Sequence, residues 1–91
     1  MKTNVHWEVN ERCYELHFDK FGEDVIVLTF AKDNDIPNCY NYKSEDLKVE
    51  DDCEYADTLE EIKEIFELMY EEHLQDEIDY YECLLNMWNE E

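Results

Sequence analysis

Glycine and proline occur once each in the 91 residues, as Gly22 and Pro37, and Ser44 is the only serine. That scarcity removes the Gly-rich loops that cradle phosphates and the turns that usually build an oxyanion hole. Basic residues are also few, with 7 Lys and Arg against 27 Asp and Glu and a formal net charge of −20. Affinity for DNA, RNA and anionic membranes comes from Lys and Arg neutralising phosphates, so direct binding to any of these polyanions is excluded. No run approaches the roughly 20 apolar residues of a membrane-spanning helix. The N-terminus, Met1-Lys2-Thr3-Asn4-Val5-His6-Trp7, lacks the apolar stretch of a signal peptide. No CxxC pair occurs among Cys13, Cys39, Cys53 and Cys83. A disulfide framework would require a secreted chain, and the expectation here is a cytoplasmic protein whose reduced thiols pack as small hydrophobes.

What is abundant is aromatic and acidic. Two Trp, 7 Tyr and 4 Phe, within a hydrophobic content of 44%, supply enough burial for a chain of this charge to fold rather than stay disordered. The length suits one compact domain, residues 1–91. Charge is distributed unevenly. Residues 1–32 hold six acids and four bases, residues 33–57 nine and two, and residues 58–91 twelve and one. Self-repulsion on this scale lowers stability, so a function that uses the charge is the economical explanation. Solubility alone and a halophilic origin are the plainer ones.

Hydropathy patterning predicts an α+β domain, a small antiparallel β meander of three to four strands packed by a long or bent C-terminal helix or by two helices. Residues 4–43 read as β-rich. Val5, Trp7 and Val9 alternate, as do Tyr14, Leu16 and Phe18 beyond a turn at Asn10-Glu11. After Gly22 the run from Val25 to Ala31 reads as the central strand, residues 33–38 as a loop, and Cys39 to Lys43 as a short fourth strand. Residues 44–57 read as an acidic, irregular or weakly helical connection. Helix is predicted over 58–89, opened by the capping box Thr58-Leu59-Glu60-Glu61. Ile62, Phe66, Met69 and His73 form one apolar stripe; Leu74, Ile78, Tyr81, Leu85 and Trp88 form a second, out of phase by one residue. The phase shift places a break near Leu74-Gln75-Asp76. Trp88, Leu85 and Tyr81 suit either internal packing or a dimer contact, which leaves the oligomeric state open.

Motifs for chemistry are missing. Cys13 and His17, four apart, offer two ligands where a zinc site needs three or four, so no metal and no cofactor is expected. Asp33-Asn34-Asp35 fails the EF-hand pattern, with Pro37 at the fifth position, Asn38 in place of Gly and Ser44 in place of the bidentate Glu. No carboxylate pair stands out as an acid/base couple, and no enzyme activity is expected.

The carboxylates themselves are the remaining candidates. On a helix, Glu60, Glu64, Glu67 and Glu71 lie along one ridge, with Glu61 and Glu72 beside them. Asp76 and Asp79 extend the acidity, with Glu77 and Glu82 nearby, and Asp51 and Asp52 sit in a second cluster with Glu50 and Glu54. An amphipathic helix commonly carries a charged outer face, but here a single Lys and no Arg follow residue 57, so i,i+4 salt bridges are nearly lacking. In length, acidity, aromatic content and acidic helix the chain resembles the DNA-mimic inhibitor proteins of phages and mobile elements, which include anti-CRISPR proteins. The resemblance implies a cytoplasmic protein of a bacterial host cell, a non-enzymatic inhibitor that occupies the basic nucleic-acid groove of a DNA- or RNA-handling enzyme such as a Cas nuclease or another defence enzyme. The expected contacts are Glu60, Glu64, Glu67, Glu71, Asp76, Asp79, Asp51 and Asp52. An acidic antitoxin or adaptor neutralising a basic protein is the alternative.

Overall fold

The computed structural model describes residues 2–76 and 78–90, with the side chains of residues 78–81 outside the described set. Five strands, β1 (Val5–Val9), β2 (Tyr14–Lys20), β3 (Glu23–Lys32), β4 (Cys39–Ser44) and β5 (Val49–Tyr55), precede two helices, α1 (Leu59–Asp76) and α2 (Ile78–Trp88). The sheet is a meander in the order β1-β2-β3-β4-β5, with every neighbouring pair antiparallel. This is the expected α+β arrangement with one more strand than foreseen.

Each hairpin has a local chemical cause. Between β1 and β2, the Asn10 side chain accepts from the Arg12 and Cys13 backbone N–H groups at 2.8 and 2.9 Å. Between β2 and β3, Phe21 and Gly22 both take positive φ, 54° and 85°, the combination a type I′ two-residue turn demands. Glycine reaches that region freely, whereas Phe21 carries the cost of a Cβ there. Asp33 shapes the β3–β4 loop by accepting from the backbone N–H groups of Asp35 and Ile36, while its second oxygen accepts from Asn41 on β4. Its carboxylate is therefore committed to the turn.

Residues 44–57 are more regular than their composition suggests. A turn with Lys48 at φ 59° closes the β4–β5 hairpin, and β5 pairs with β4 from Ser44↔Val49 to Cys39↔Tyr55. β5 reads Val-Glu-Asp-Asp-Cys-Glu-Tyr, with little intrinsic strand preference, and it forms because β4 offers a ladder along its free side. Its acids then serve an edge strand, where charge discourages further strand addition.

Both helices cover the same face of the sheet. Leu16, Phe18, Val27, Leu28, Phe30, Tyr40 and Tyr42 from the strands meet Ile62, Phe66, Tyr70, Leu74 and Trp88 from the helices, all buried. Aromatic rings dominate the contact: Phe30 lies 5.0 Å from Phe66, Phe18 5.2 Å from Trp88, and Tyr70 5.1 Å from Trp88. Trp88 is wholly buried within the chain. It is therefore an internal anchor, whereas Leu85 is only partly buried against the core and the Tyr81 side chain lies outside the described residues.

Thr58 caps α1 as the sequence implies, its Oγ1 accepting from the Glu61 N–H at 3.1 Å. The buried stripe runs Ile62, Phe66, Tyr70, Leu74, however, and not through Met69 and His73. Steps of four residues advance 400°, so the buried line drifts about 40° per step around the helix and follows the twisted sheet beneath it. Leu74 consequently belongs to the first helix's stripe, in α1 rather than α2.

A single bulge interrupts the β2–β3 ladder. Leu16 pairs with Leu28 and His17 with Ile26, leaving Val27 as the extra residue of β3. Its carbonyl accepts the Ser44 hydroxyl at 2.7 Å, so the break in the ladder leaves that buried oxygen satisfied.

Candidate functional site

α1 is an 18-residue rod about 27 Å long, and its solvent side is acidic. Glu60, Glu61, Glu64, Glu72 and Asp76 are exposed. Glu60 and Glu61 also lie in the first turn, where the helix dipole favours negative charge, while Glu72 and Asp76 near the other end oppose it. The only Lys or Arg after residue 57, Lys63, lies over the rings of Trp7 and Tyr14, 5.9 and 5.6 Å from their centroids. Its charge is spent on aromatic faces rather than on the acidic row.

The ridge foreseen from sequence is split. Glu67 is half-buried and accepts the Trp7 indole N–H at 3.1 Å. Glu71 pairs with Lys2 at 3.0 Å and is 21% exposed. Both turn toward β1 and the N-terminal residues because the buried stripe drifts around α1 as the chain advances. Glu60 and Glu64 therefore remain on the free face, joined by Glu61 and Glu72, while Glu67 and Glu71 tie α1 to the first strand. The Asp79 side chain lies outside the described residues.

Asp51 and Asp52 are both exposed, but as consecutive strand residues they point to opposite faces of β5. Asp52 stands opposite Tyr42 on the helix-bearing face. Burial first, and then the charges of Asp52, Glu54 and Cys53, hold the Tyr42 hydroxyl above its ordinary pKa. The two aspartates thus form no single contact row with each other, and Asp52 and Glu54 share a face.

Among the described residues, two Lys–carboxylate pairs form, Lys2 with Glu71 and Lys20 with Asp46. Asp46 also accepts the Tyr70 hydroxyl at 2.6 Å, which ties the β4–β5 turn to α1. The exposed acids on α1 are thus carried on a scaffold braced through other residues.

The opposite, helix-free face of the sheet holds a cluster that sequence spacing missed. His6 on β1 stands directly across from His17 on β2, and Glu8 across from Glu15. The two imidazoles stack at 4.8 Å with a 20° interplanar angle. His17 Nδ1 lies 3.0 Å from Asp24 Oδ2, and its Nε2 lies 3.2 Å from Glu15 Oε1 and 3.3 Å from Glu8 Oε2. His6 Nε2 lies 2.8 Å from the same Glu8 oxygen. His17 is almost wholly removed from solvent, at 6% exposure. Burial, the largest single influence, pushes its pKa down, but the hydrogen bonds to Glu15 and Asp24 and the charges of Asp24 and Glu8 outweigh it, and the net direction is up. Sequence spacing pointed to Cys13 as the partner of His17. The signal that finds His6 is the hairpin register, since two short strands around an Asn10 turn bring residues 6 and 17 into one cross-strand pair.

No protein-family model, curated protein or solved structure matches the chain. No helix among the described residues is long and apolar enough to cross a membrane.

Proposed function

We propose that this protein is a non-enzymatic inhibitor that binds the basic nucleic-acid groove of a DNA- or RNA-handling enzyme by presenting carboxylates in place of phosphates. The observation that carries this reading is the exposed group Glu60, Glu61 and Glu64 on one helix, followed by Glu72 beyond the exposed Leu68, with Lys63 directed to Trp7 and Tyr14 instead. Glu64 stands three and four residues after Glu61 and Glu60, about 4.5 to 6 Å along the axis, the same order as the roughly 3.4 Å phosphate rise of one DNA strand, and Glu72 follows about 12 Å further on. A groove lined with Lys and Arg meets such a row much as it meets a backbone, and its preformed geometry lowers the ordering cost of binding. Asp76, at the end of α1, extends the same surface, and Asp51 and Asp52 offer a separate acidic edge on β5.

The test immobilises the full chain at low salt, captures partners from a bacterial lysate, and challenges the captured protein with duplex DNA and with rising salt. Displacement by DNA, a steep loss with salt, and loss of capture by Glu60→Lys with Glu64→Lys are expected. Capture that DNA leaves untouched points instead to an antitoxin-like neutraliser of a basic protein. Capture lost only on reversing Asp51 and Asp52 moves the contact from α1 to β5.

A further inference from the structure

We propose that His6, Glu8 and His17 form a divalent transition-metal site of the zinc class on the helix-free face of the sheet, completed by Glu15 and oriented by Asp24. The site is separate from the acidic helix and does not depend on its function.

Four observations carry it. The first is the donor set. Two imidazoles and carboxylates suit a borderline cation such as Zn2+, and the ligand atoms of His6, Glu8, His17 and Asp24 all lie within 4.8 Å of one another. Tetrahedral ligands at ~2.0–2.1 Å from zinc are separated by about 3.3 Å. His17 Nε2 is 3.3 Å from Glu8 Oε2 and 3.2 Å from Glu15 Oε1, while the His6 ring, stacked on His17, has to swing out of the stack for its Nε2 to reach the same ion, a motion its exposure on the strand allows.

The second is the frame. The ligands come from two adjacent cross-strand pairs, His6↔His17 and Glu8↔Glu15, on one face of a hairpin. Backbone hydrogen bonds hold the four Cα atoms at fixed separations, so the chain has little further order to impose when a metal arrives. The third is the buried ring. His17 has one nitrogen against Asp24 and the other against Glu8 and Glu15. With a metal on Nε2, the Nδ1 hydrogen goes to Asp24, the carboxylate–histidine–metal arrangement that fixes tautomer and ring orientation.

The fourth is charge. Glu8, Glu15 and Asp24 converge on two rings, and among the described residues no Lys or Arg forms an ion pair with any of them. A dication held among the three carboxylates supplies the positive charge that no lysine or arginine brings to them.

The experiment uses the full-length protein stripped of metal with a chelator, titrated with Zn2+ by calorimetry and with Co2+ by visible absorption. One equivalent bound with a tetrahedral nitrogen–oxygen Co2+ spectrum, shifted His6 and His17 ring resonances, and a raised melting temperature are expected. His6→Gln, exposed on the strand and not needed for folding, weakens binding at least tenfold. Asp24→Asn weakens it by roughly ten- to hundredfold, the usual effect of removing a carboxylate behind a ligating histidine. Glu64→Gln on the acidic helix leaves it unchanged. Several weak equivalent sites insensitive to His6→Gln overturn the proposal, as do thiolate-to-cobalt charge-transfer bands that place the ion on cysteine.

Discussion

Glu64→Lys should make the protein more stable while removing the function proposed for it. Glu64 is exposed, with Glu60 four residues before it and Glu61 three before it, both exposed as well. Like charges at these spacings destabilise a helix by ~0.2–0.5 kcal/mol each, and opposite charges stabilise it by a similar amount. Glu67, three residues after it, is a third acidic neighbour, so reversing one charge removes three repulsions and adds three attractions, a total of about 1.2–3 kcal/mol, which exposure and screening reduce to about 1 kcal/mol. Position 64 is beyond the first turn, so the helix dipole opposes the new lysine only weakly. For a domain of this size that corresponds to a rise in melting temperature of roughly 4–8 °C at low ionic strength. The assay is a pair of circular-dichroism melts, at low salt and at about 1 M salt, where the screening length falls to ~3 Å and the difference between variant and parent should largely vanish. A variant that melts lower than the parent, or a gap that salt leaves unchanged, refutes the account of an uncompensated acidic face. The contrast is Glu67→Lys, which removes the acceptor for the Trp7 indole and should lower the melting temperature.

Ser44→Ala leaves the Val27 carbonyl unpaired in the bulge, and a loss of roughly 1–3 kcal/mol in urea denaturation is expected; an unchanged midpoint would show that the bulge does not need its hydroxyl. Phe21→Asn relieves a positive φ at a side chain that is 73% exposed, so it should stabilise the protein by about 1 kcal/mol, and a lower midpoint would mean that the ring has a packing role. Asp33 is held below its ordinary pKa first by the Asn41 hydrogen bond and then by the Ile36 and Asp35 N–H groups. A carboxyl whose folded pKa is depressed contributes stability above its unfolded value, and that contribution is lost as pH falls through the ordinary carboxyl range toward the folded value. General relief of the net charge of −20 acts in the opposite direction, so the check is a difference: the gap in melting temperature between parent and Asp33→Ala should be open at neutral pH and close toward about pH 3.

Much of the architecture was legible because it rests on local rules. Alternation in 5–9 and 14–18, the β-branched run after Gly22, and the Thr58 cap each specify an element through interactions within a few residues. The phase shift between the two apolar series left one long or bent helix and two helices both open; the structure has two, with Leu74 on the first. β5 was not legible, since Glu50, Asp51 and Asp52 carry no strand signal and their pairing depends on β4 presenting an open edge. The stripe through Met69 and His73 was misplaced because a helix on a twisted sheet does not keep a fixed face toward it; Tyr70 and Leu74 take those places instead.

The candidate surface divides along the same line. Composition and charge distribution by themselves determine that this is an acidic domain whose C-terminal third holds a single cationic side chain, because those are properties of residue counts. Which glutamates face solvent was decided only by tertiary structure, through the drift of the buried stripe that turns Glu67 to Trp7 and Glu71 to Lys2 and leaves Glu60 and Glu64 free. The His6–His17 cluster was likewise decided by strand register, which joins residues eleven apart in sequence and adds Asp24 from a third strand. Spacing along the chain constrains neighbours on one element, while contacts between elements depend on how those elements pack.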